Sequence, residues 1–120
     1  MNDFCLASQE ELTFLSSGSL ASMYKLSPWV WQDGARFDLL LRVVNYSDTP
    51  SEKIARIHYG TSADGLVFAL DDEPVLRPGP DLRDSYDGGG CEDPTLAYVD
   101  GTYYVYYSGW NQHLKRGELL

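Results

Sequence analysis

A repeated strand-turn-strand layout constrains the fold of this chain more than any other feature. Pro28-Trp29-Val30-Trp31-Gln32-Asp33-Gly34-Ala35-Arg36-Phe37-Asp38-Leu39 and Pro94-Thr95-Leu96-Ala97-Tyr98-Val99-Asp100-Gly101-Thr102-Tyr103-Tyr104-Val105-Tyr106 share one order: proline, short strand, Asp-Gly turn, long apolar strand. The prolines stand 66 residues apart and the turns 67. An Asp-Gly pair between apolar runs closes a hairpin, because both residues accept the positive φ that a tight turn demands. Between the two copies, Ile54 to Thr61 resumes a strand and Ser62-Ala63-Asp64-Gly65 turns it into Leu66 to Leu70. A second hairpin thus completes the first copy, and repetition of a four-stranded antiparallel unit points to the blades of a β-propeller.

The chain therefore reads as all-β. After an N-terminal segment, 1–23, a partial propeller domain is expected over 24–120: a first blade at 28–70, a crossing loop at 71–92 and the start of a second blade, with two strands, from 93 to 120. About one and a half blades are present, whereas propellers close with roughly four to eight. The missing blades would leave a strand edge and apolar side chains such as Leu40, Val44, Tyr104 and Tyr106 uncovered, so self-association is expected. Along the first long strand, Phe37, Leu39, Leu41 and Val43 alternate with Asp38, Leu40, Arg42 and Val44, which puts apolar residues on both faces and predicts a sandwiched strand. Upstream, Ser8-Gln9-Glu10-Glu11 has capping-box spacing and predicts a short helical turn.

Length and charge narrow the function classes. At 120 residues with 43% hydrophobic content, the chain can build one core. Nine Lys and Arg against 18 Asp and Glu give a net charge of −9, which excludes nucleic acid and anionic membrane as natural partners and suits a neutral sugar. No apolar run approaches the roughly 20 residues that span a bilayer. Cys5 and Cys91 read as free thiols of a reducing, cytoplasmic compartment, with the Cys91 thiol disfavoured as a nucleophile by Glu92 and Asp93 beside it. Neither His58 nor His113 has a partner at ligand spacing, and Asp71-Asp72-Glu73 lacks the spaced oxygens of a calcium loop, so no metal site is expected.

The residues most apt for chemistry lie in Gly88-Gly89-Gly90-Cys91-Glu92-Asp93-Pro94-Thr95, where two adjacent carboxylates follow a glycine-rich approach to a strand. Pro94 biases Asp93 toward an extended backbone, so Glu92 and Asp93 are expected to project in opposite directions, with Asp93 toward a cleft near Arg42 or Trp110. The same stretch also fits an ordinary turn opener. Arg42 and Arg56 sit within apolar strands, where a guanidinium requires either a carboxylate partner or a hydroxylated or anionic ligand. Tyr103, Tyr104, Tyr106 and Tyr107 are expected to pack between blades, while Trp110 suits packing and sugar stacking equally.

Taken together, Ser27-Pro28-Trp29-Val30-Trp31, Leu40-Leu41-Arg42-Val43-Val44, Ile57-His58-Tyr59-Gly60-Thr61-Ser62-Ala63-Asp64-Gly65-Leu66-Val67-Phe68 and Gly90-Cys91-Glu92-Asp93-Pro94 with Asp100 to Trp110 resemble glycoside hydrolase family 130. These are five-bladed propellers that act on β-mannosides, many by inverting phosphorolysis. The resemblance implies that Asp93 is the proton donor, acting through a sugar hydroxyl, and that Ser27, Arg42, Glu92 and Trp110 contact substrate. It implies inorganic phosphate as co-substrate and no other cofactor. Thr95 departs from the arginine that commonly follows Asp-Pro in the family, and the family's phosphate-holding residues lie in later blades, so the isolated chain is expected to turn over little mannoside. Two other classes remain open: a non-catalytic carbohydrate-binding or assembly module, and a propeller glycosidase that hydrolyses with an Asp/Glu pair drawing on Asp33 or Asp38.

Overall fold

The computed structural model describes residues 3–79 and 86–120. Eight strands form: β1 (Thr13–Leu15), β2 (Tyr24–Asp33), β3 (Arg36–Val44), β4 (Ala55–Ser62), β5 (Val67–Leu70), β6 (Cys91–Val99), β7 (Thr102–Asn111) and β8 (Arg116–Leu119). Two short 3-10 turns, Gly18–Ser22 and Pro50–Glu52, are the only helical elements among the described residues. The all-β, propeller-type architecture is thus present as expected.

Strands β2 to β5 pair antiparallel in sequence as a four-stranded unit, whose first strand begins at Tyr24 rather than at 28. A fifth strand extends that blade beyond the expected four: β1 adds to the outer edge, parallel to β5, with Phe14 opposite Phe68. Ser8 to Glu11, whose capping box predicts a helical turn, is instead without regular structure. An isolated turn has too few hydrogen bonds to offset nucleation, and Leu12 and Phe14 gain more by packing on the blade core. The second sheet runs β6-β7-β8 and so has three strands, not two, with β8 pairing Gly117 to Trp110. Its first strand begins at Cys91, two residues before the expected start of the second blade. Residues 80–85 of the crossing loop lie outside the described part.

The Asp-Gly turns of the two repeat copies, Asp33-Gly34 and Asp100-Gly101, close the β2–β3 and β6–β7 hairpins, and Asp64-Gly65 closes β4–β5. At the second turn Asp100 and Gly101 have φ of 49° and 81°, the left-handed pair of a type I′ connection.

The two faces of β3 organise the core. Leu39, Leu41 and Val43 join Leu20, Phe68 and Leu70 in one cluster, closed by Leu12, Phe14, Met23 and Phe37. Leu40 faces the other way, toward Ile57 and Cys91, with Trp31, Tyr59, Leu96 and Tyr107 packed around them. Strand β3 is therefore sandwiched, as its alternation predicts. Leu40 and Val44, expected to be uncovered, are buried, because the second sheet packs over that face. Tyr104 and Tyr106 remain about half exposed, at 49% and 48%. Register places them on the side of β7 away from Tyr103 and Tyr107. The tyrosine run thus divides: Tyr107 packs between the sheets and Tyr103 lies 6.2 Å from the Trp31 ring, while Tyr104 and Tyr106 stay uncovered, as expected of a face that a neighbouring blade would cover.

The crossing loop is pinned by Asp87, which accepts from the Gly79 amide at 2.9 Å, the Tyr107 hydroxyl at 2.9 Å and the Cys91 thiol at 3.4 Å. Burial first, then Asp87, pushes the Cys91 thiol up to about 12. The cause differs from the expectation, since Asp87 acts ahead of Glu92. A thiol raised this far stays protonated in the folded state while the unfolded one ionises, so its contribution to stability is full below about pH 9 and is lost as pH rises toward 12. Alkylation of the native protein at pH 8 should accordingly label exposed Cys5 alone, with both thiols labelled after denaturation. Mass spectrometry showing two labels in the native state would contradict this burial.

Candidate active site

The edge strands β2 and β6 of the two sheets each break register once, between Leu26 and Trp29 and between Glu92 and Thr95. At each break the residue before the proline takes a left-handed backbone: Ser27 at φ 49° and Asp93 at φ 48°. A non-glycine residue held there costs about 1–3 kcal/mol, a strain that concentrates at functional sites. The two bulges are repeat mates, and they meet. Ser27 Oγ donates to Asp93 Oδ1 at 2.7 Å across 66 residues of sequence.

Arg42, on the face of β3 that looks toward the second sheet, completes the cluster. Its Nη2 donates to Glu92 Oε1 at 2.8 Å and its Nη1 to Asp93 Oδ1 at 3.2 Å. Here the structure corrects the expectation that Glu92 and Asp93 diverge. In regular strand they would, but the left-handed Asp93 inserts a bulge that resets the alternation, so both carboxylates reach one guanidinium. The side chains are 23% (Arg42), 29% (Glu92) and 52% (Asp93) exposed, which leaves Asp93 the most accessible of the three. Arg42 Nε is buried without a hydrogen-bond partner among the described residues. Arg56, by contrast, turns to the Ile54 carbonyl at 3.3 Å.

A cleft of about 690 Å3 opens from Arg42 and Glu92 and is walled by Tyr24, Leu26, Lys53 and Trp110. Four of the five expected site residues, Ser27, Arg42, Glu92 and Asp93, form one hydrogen-bonded cluster, but the cleft is lined by Arg42, Glu92 and Trp110 and not by Ser27 or Asp93, the reverse of the expectation that Asp93 faces it and Glu92 points elsewhere. Trp110 Nε1 donates to Gln112 Oε1 at 3.0 Å, and the Gly89 and Trp110 backbones are bonded at 2.8 Å. A Cβ on Gly89 would fall 2.5 Å from Trp110 Cδ1 and 3.0 Å from the Trp110 carbonyl, so only glycine fits. Gly89→Ala should therefore displace the indole and change the tryptophan emission of the folded protein. An unchanged emission spectrum would show that Gly89 does not set the ring.

Tyr24, Lys53 and Gln112 escape sequence reading, for they carry no motif and reach the cleft from three separate places, the start of β2, the β3–β4 connection and the β7–β8 connection. Asp33 and Asp38 lie elsewhere. Asp38 is 1% exposed and taken up by the Tyr59 hydroxyl and by Arg36 Nε at 3.0 Å. Burial and that contact push the Tyr59 phenol up to about 12. At about 3.3 Å per residue, Asp38 is roughly 13 Å along β3 from Arg42. Asp33, 58% exposed, pairs with Arg36 at 3.7 Å. Neither carboxylate joins the Arg42 cluster.

The family model for glycoside hydrolase family 130, described as β-1,4-mannooligosaccharide phosphorylase, matches residues 30–119. A β-1,2-mannobiose phosphorylase of Thermoanaerobacter sp. (strain X514) is 31% identical over 116 residues, 82% of this chain and 37% of its own. A 1,2-β-oligomannan phosphorylase of the same strain is 32% identical over 89 residues, 69% of this chain and 27% of its own. The crystal structure of a glycosyl hydrolase from Bacteroides ovatus aligns with a TM-score of 0.67 at 29% identity, over 82% of this chain and 28% of that one. The chain thus spans 37% or less of the length of these relatives. Since the matched stretch begins within β2 and runs to the end of β8, taking in both sheets, this chain belongs to glycoside hydrolase family 130, whose solved members are five-bladed propellers.

Proposed function

We propose that this chain carries the proton-donor wall of a β-mannoside-cleaving site, with Asp93 as the acid. The observation that supports it most is the pair of left-handed bulges: Asp93 is held at a strained position by Ser27 and Arg42, half exposed, on the same guanidinium as Glu92, and Arg42 and Glu92 line a cleft of sugar-binding size. In phosphorolysis the bond from the anomeric carbon to the glycosidic oxygen breaks while phosphate attacks that carbon from the opposite face. Asp93 gives its proton, through a sugar hydroxyl, to the departing oxygen. Inorganic phosphate is already an anionic nucleophile, so one carboxylic acid suffices, whereas attack by water requires a base as well. Arg42 and Ser27 orient Asp93, and Trp110 offers an apolar face to a sugar ring.

Hydrolysis is the second reading, favoured by the position of Glu92 on the same guanidinium, where a second carboxylate stands close to the first. In either case the cleft's cations are Arg42, Lys53 and Lys115, and Arg42 is committed to two carboxylates. That set is a poor cradle for phosphate. Calorimetric titration of the chain with β-1,2-mannobiose should accordingly show binding that does not depend on phosphate, with little release of mannose 1-phosphate. Absence of binding would overturn the sugar-site reading, and phosphate-dependent turnover by the chain would show that its own lysines complete the anion site.

A further inference from the structure

The gap between the two sheets has a second end. Asp38, on the same face of β3 as Arg42 and roughly 13 Å along the strand from it, stands there beside a cavity of about 330 Å3. Rings from three strands wall the cavity: Trp31 of β2, Tyr59 of β4 and Tyr103 of β7. The Trp31 centroid lies 6.4 Å from that of Tyr59 and 6.2 Å from that of Tyr103, with the planes tilted by 46° and 45°. Neither tyrosine lies flat on the indole, and the three rings meet as adjacent walls of a box.

The polar groups of this box carry more negative charge than positive. Arg36 is matched twice by Asp38, Nε to Oδ1 at 3.0 Å and Nη2 to Oδ2 at 3.3 Å, and the Tyr59 hydroxyl donates to the same carboxylate. Asp33, 58% exposed, reaches Arg36 only at 3.7 Å. One guanidinium thus faces two carboxylates, which leaves the charge of Asp33 in excess. The ring faces are negative as well, through their quadrupoles. Among the described residues the one cation placed over a ring is Lys53, on Tyr24 at the other end of the gap, so Arg36 covers none of the three.

We infer that this cavity is a binding site for a small quaternary ammonium ion, separate from the Arg42 cleft and independent of the sugar-site reading. Trp31, Tyr59 and Tyr103 form an aromatic cage for the cation, and Asp33 supplies the balancing charge. A sugar would need free hydrogen-bonding groups, whereas Arg36 and Asp38 are committed to each other. A quaternary ammonium has no N–H to satisfy, so ring faces are enough. Size agrees, since about 330 Å3 is at the small end of the roughly 300–1,000 Å3 range of ligand sites.

The test is a titration of the chain with choline at constant ionic strength, followed by NMR on the indole N–H signals, with that of Trp31 identified by its loss in Trp31→Phe. Choline should move the Trp31 signal and bind about tenfold tighter than dimethylbutanol, its neutral carbon isostere. Tyr103→Leu should weaken choline binding about tenfold and Tyr103→Phe should preserve it, while Asp33→Asn should weaken it about threefold. Tyr103 and Asp33 are both about half exposed, so neither substitution opens the core. β-1,2-Mannobiose should not compete. Equal affinity for choline and dimethylbutanol, an unmoved Trp31 signal, or binding undiminished in both Tyr103→Leu and Asp33→Asn overturns the inference. Competition by mannobiose does so too, because it would place the cation in the Arg42 cleft.

Discussion

In a form of the protein that cleaves a β-mannoside, Asp93→Asn should lower kcat by about 10²–10⁴ with little change in KM. Asparagine keeps the size of the side chain and an acceptor oxygen for Ser27 Oγ and Arg42 Nη1, so the ground-state contacts at 2.7 and 3.2 Å persist. What it removes is the proton available to the departing oxygen. A loss confined to kcat therefore separates a role in the transition state from a role in substrate binding. The same assay on Ser27→Ala tests positioning: the carboxylate stays, one of its two fixed donors goes, and the loss should be smaller. Near-full activity of the Asp93 variant would take that residue out of the mechanism.

Phe68→Ala should destabilise the fold by about 3–5 kcal/mol, a large part of the roughly 5–15 kcal/mol that holds a domain together. Phe68 is 0% exposed on β5 and packs with Leu20, Leu39, Leu41, Val43 and Leu70. The cavity cannot collapse easily, because strands on one side and the Leu12 to Met23 segment on the other fix its walls. Urea unfolding should show a lower midpoint at an unchanged slope, and the melting temperature should fall by roughly 10–20 °C. A change under about 1 kcal/mol would mean that this cluster is not the core of the first blade. Since Phe68 lies on the face of the sheet away from Arg42, sugar binding per folded molecule should persist.

Much of the architecture is legible along the chain. Asp-Gly pairs announce hairpins through their own backbone preferences, and the alternation over Phe37 to Val44 announces a strand buried on both faces, because side chains of a strand must alternate. The repeat distance of 66 residues also makes Ser27 and Asp93 equivalent positions of two successive blades. Where local pattern meets tertiary competition it fails. The capping box at Ser8 loses to the burial of Leu12 and Phe14, which no window around Ser8 reveals.

The sequence by itself determined the all-β class and the blade repeat, which follow from backbone preference and periodicity read locally, and it marked Arg42, Glu92 and Asp93 by residue type, whereas Ser27 entered only through the resemblance to the family. Only the tertiary structure decided how the cluster works. The reversal at Asp93 depends on a left-handed bulge that an Asp-Pro pair does not ordinarily adopt, and that bulge is what brings Glu92 and Asp93 to one arginine. The cleft, likewise, exists because residues from Tyr24 to Lys115 converge between two sheets. Their proximity is a property of how the sheets pack, a long-range outcome that no short stretch of the chain encodes.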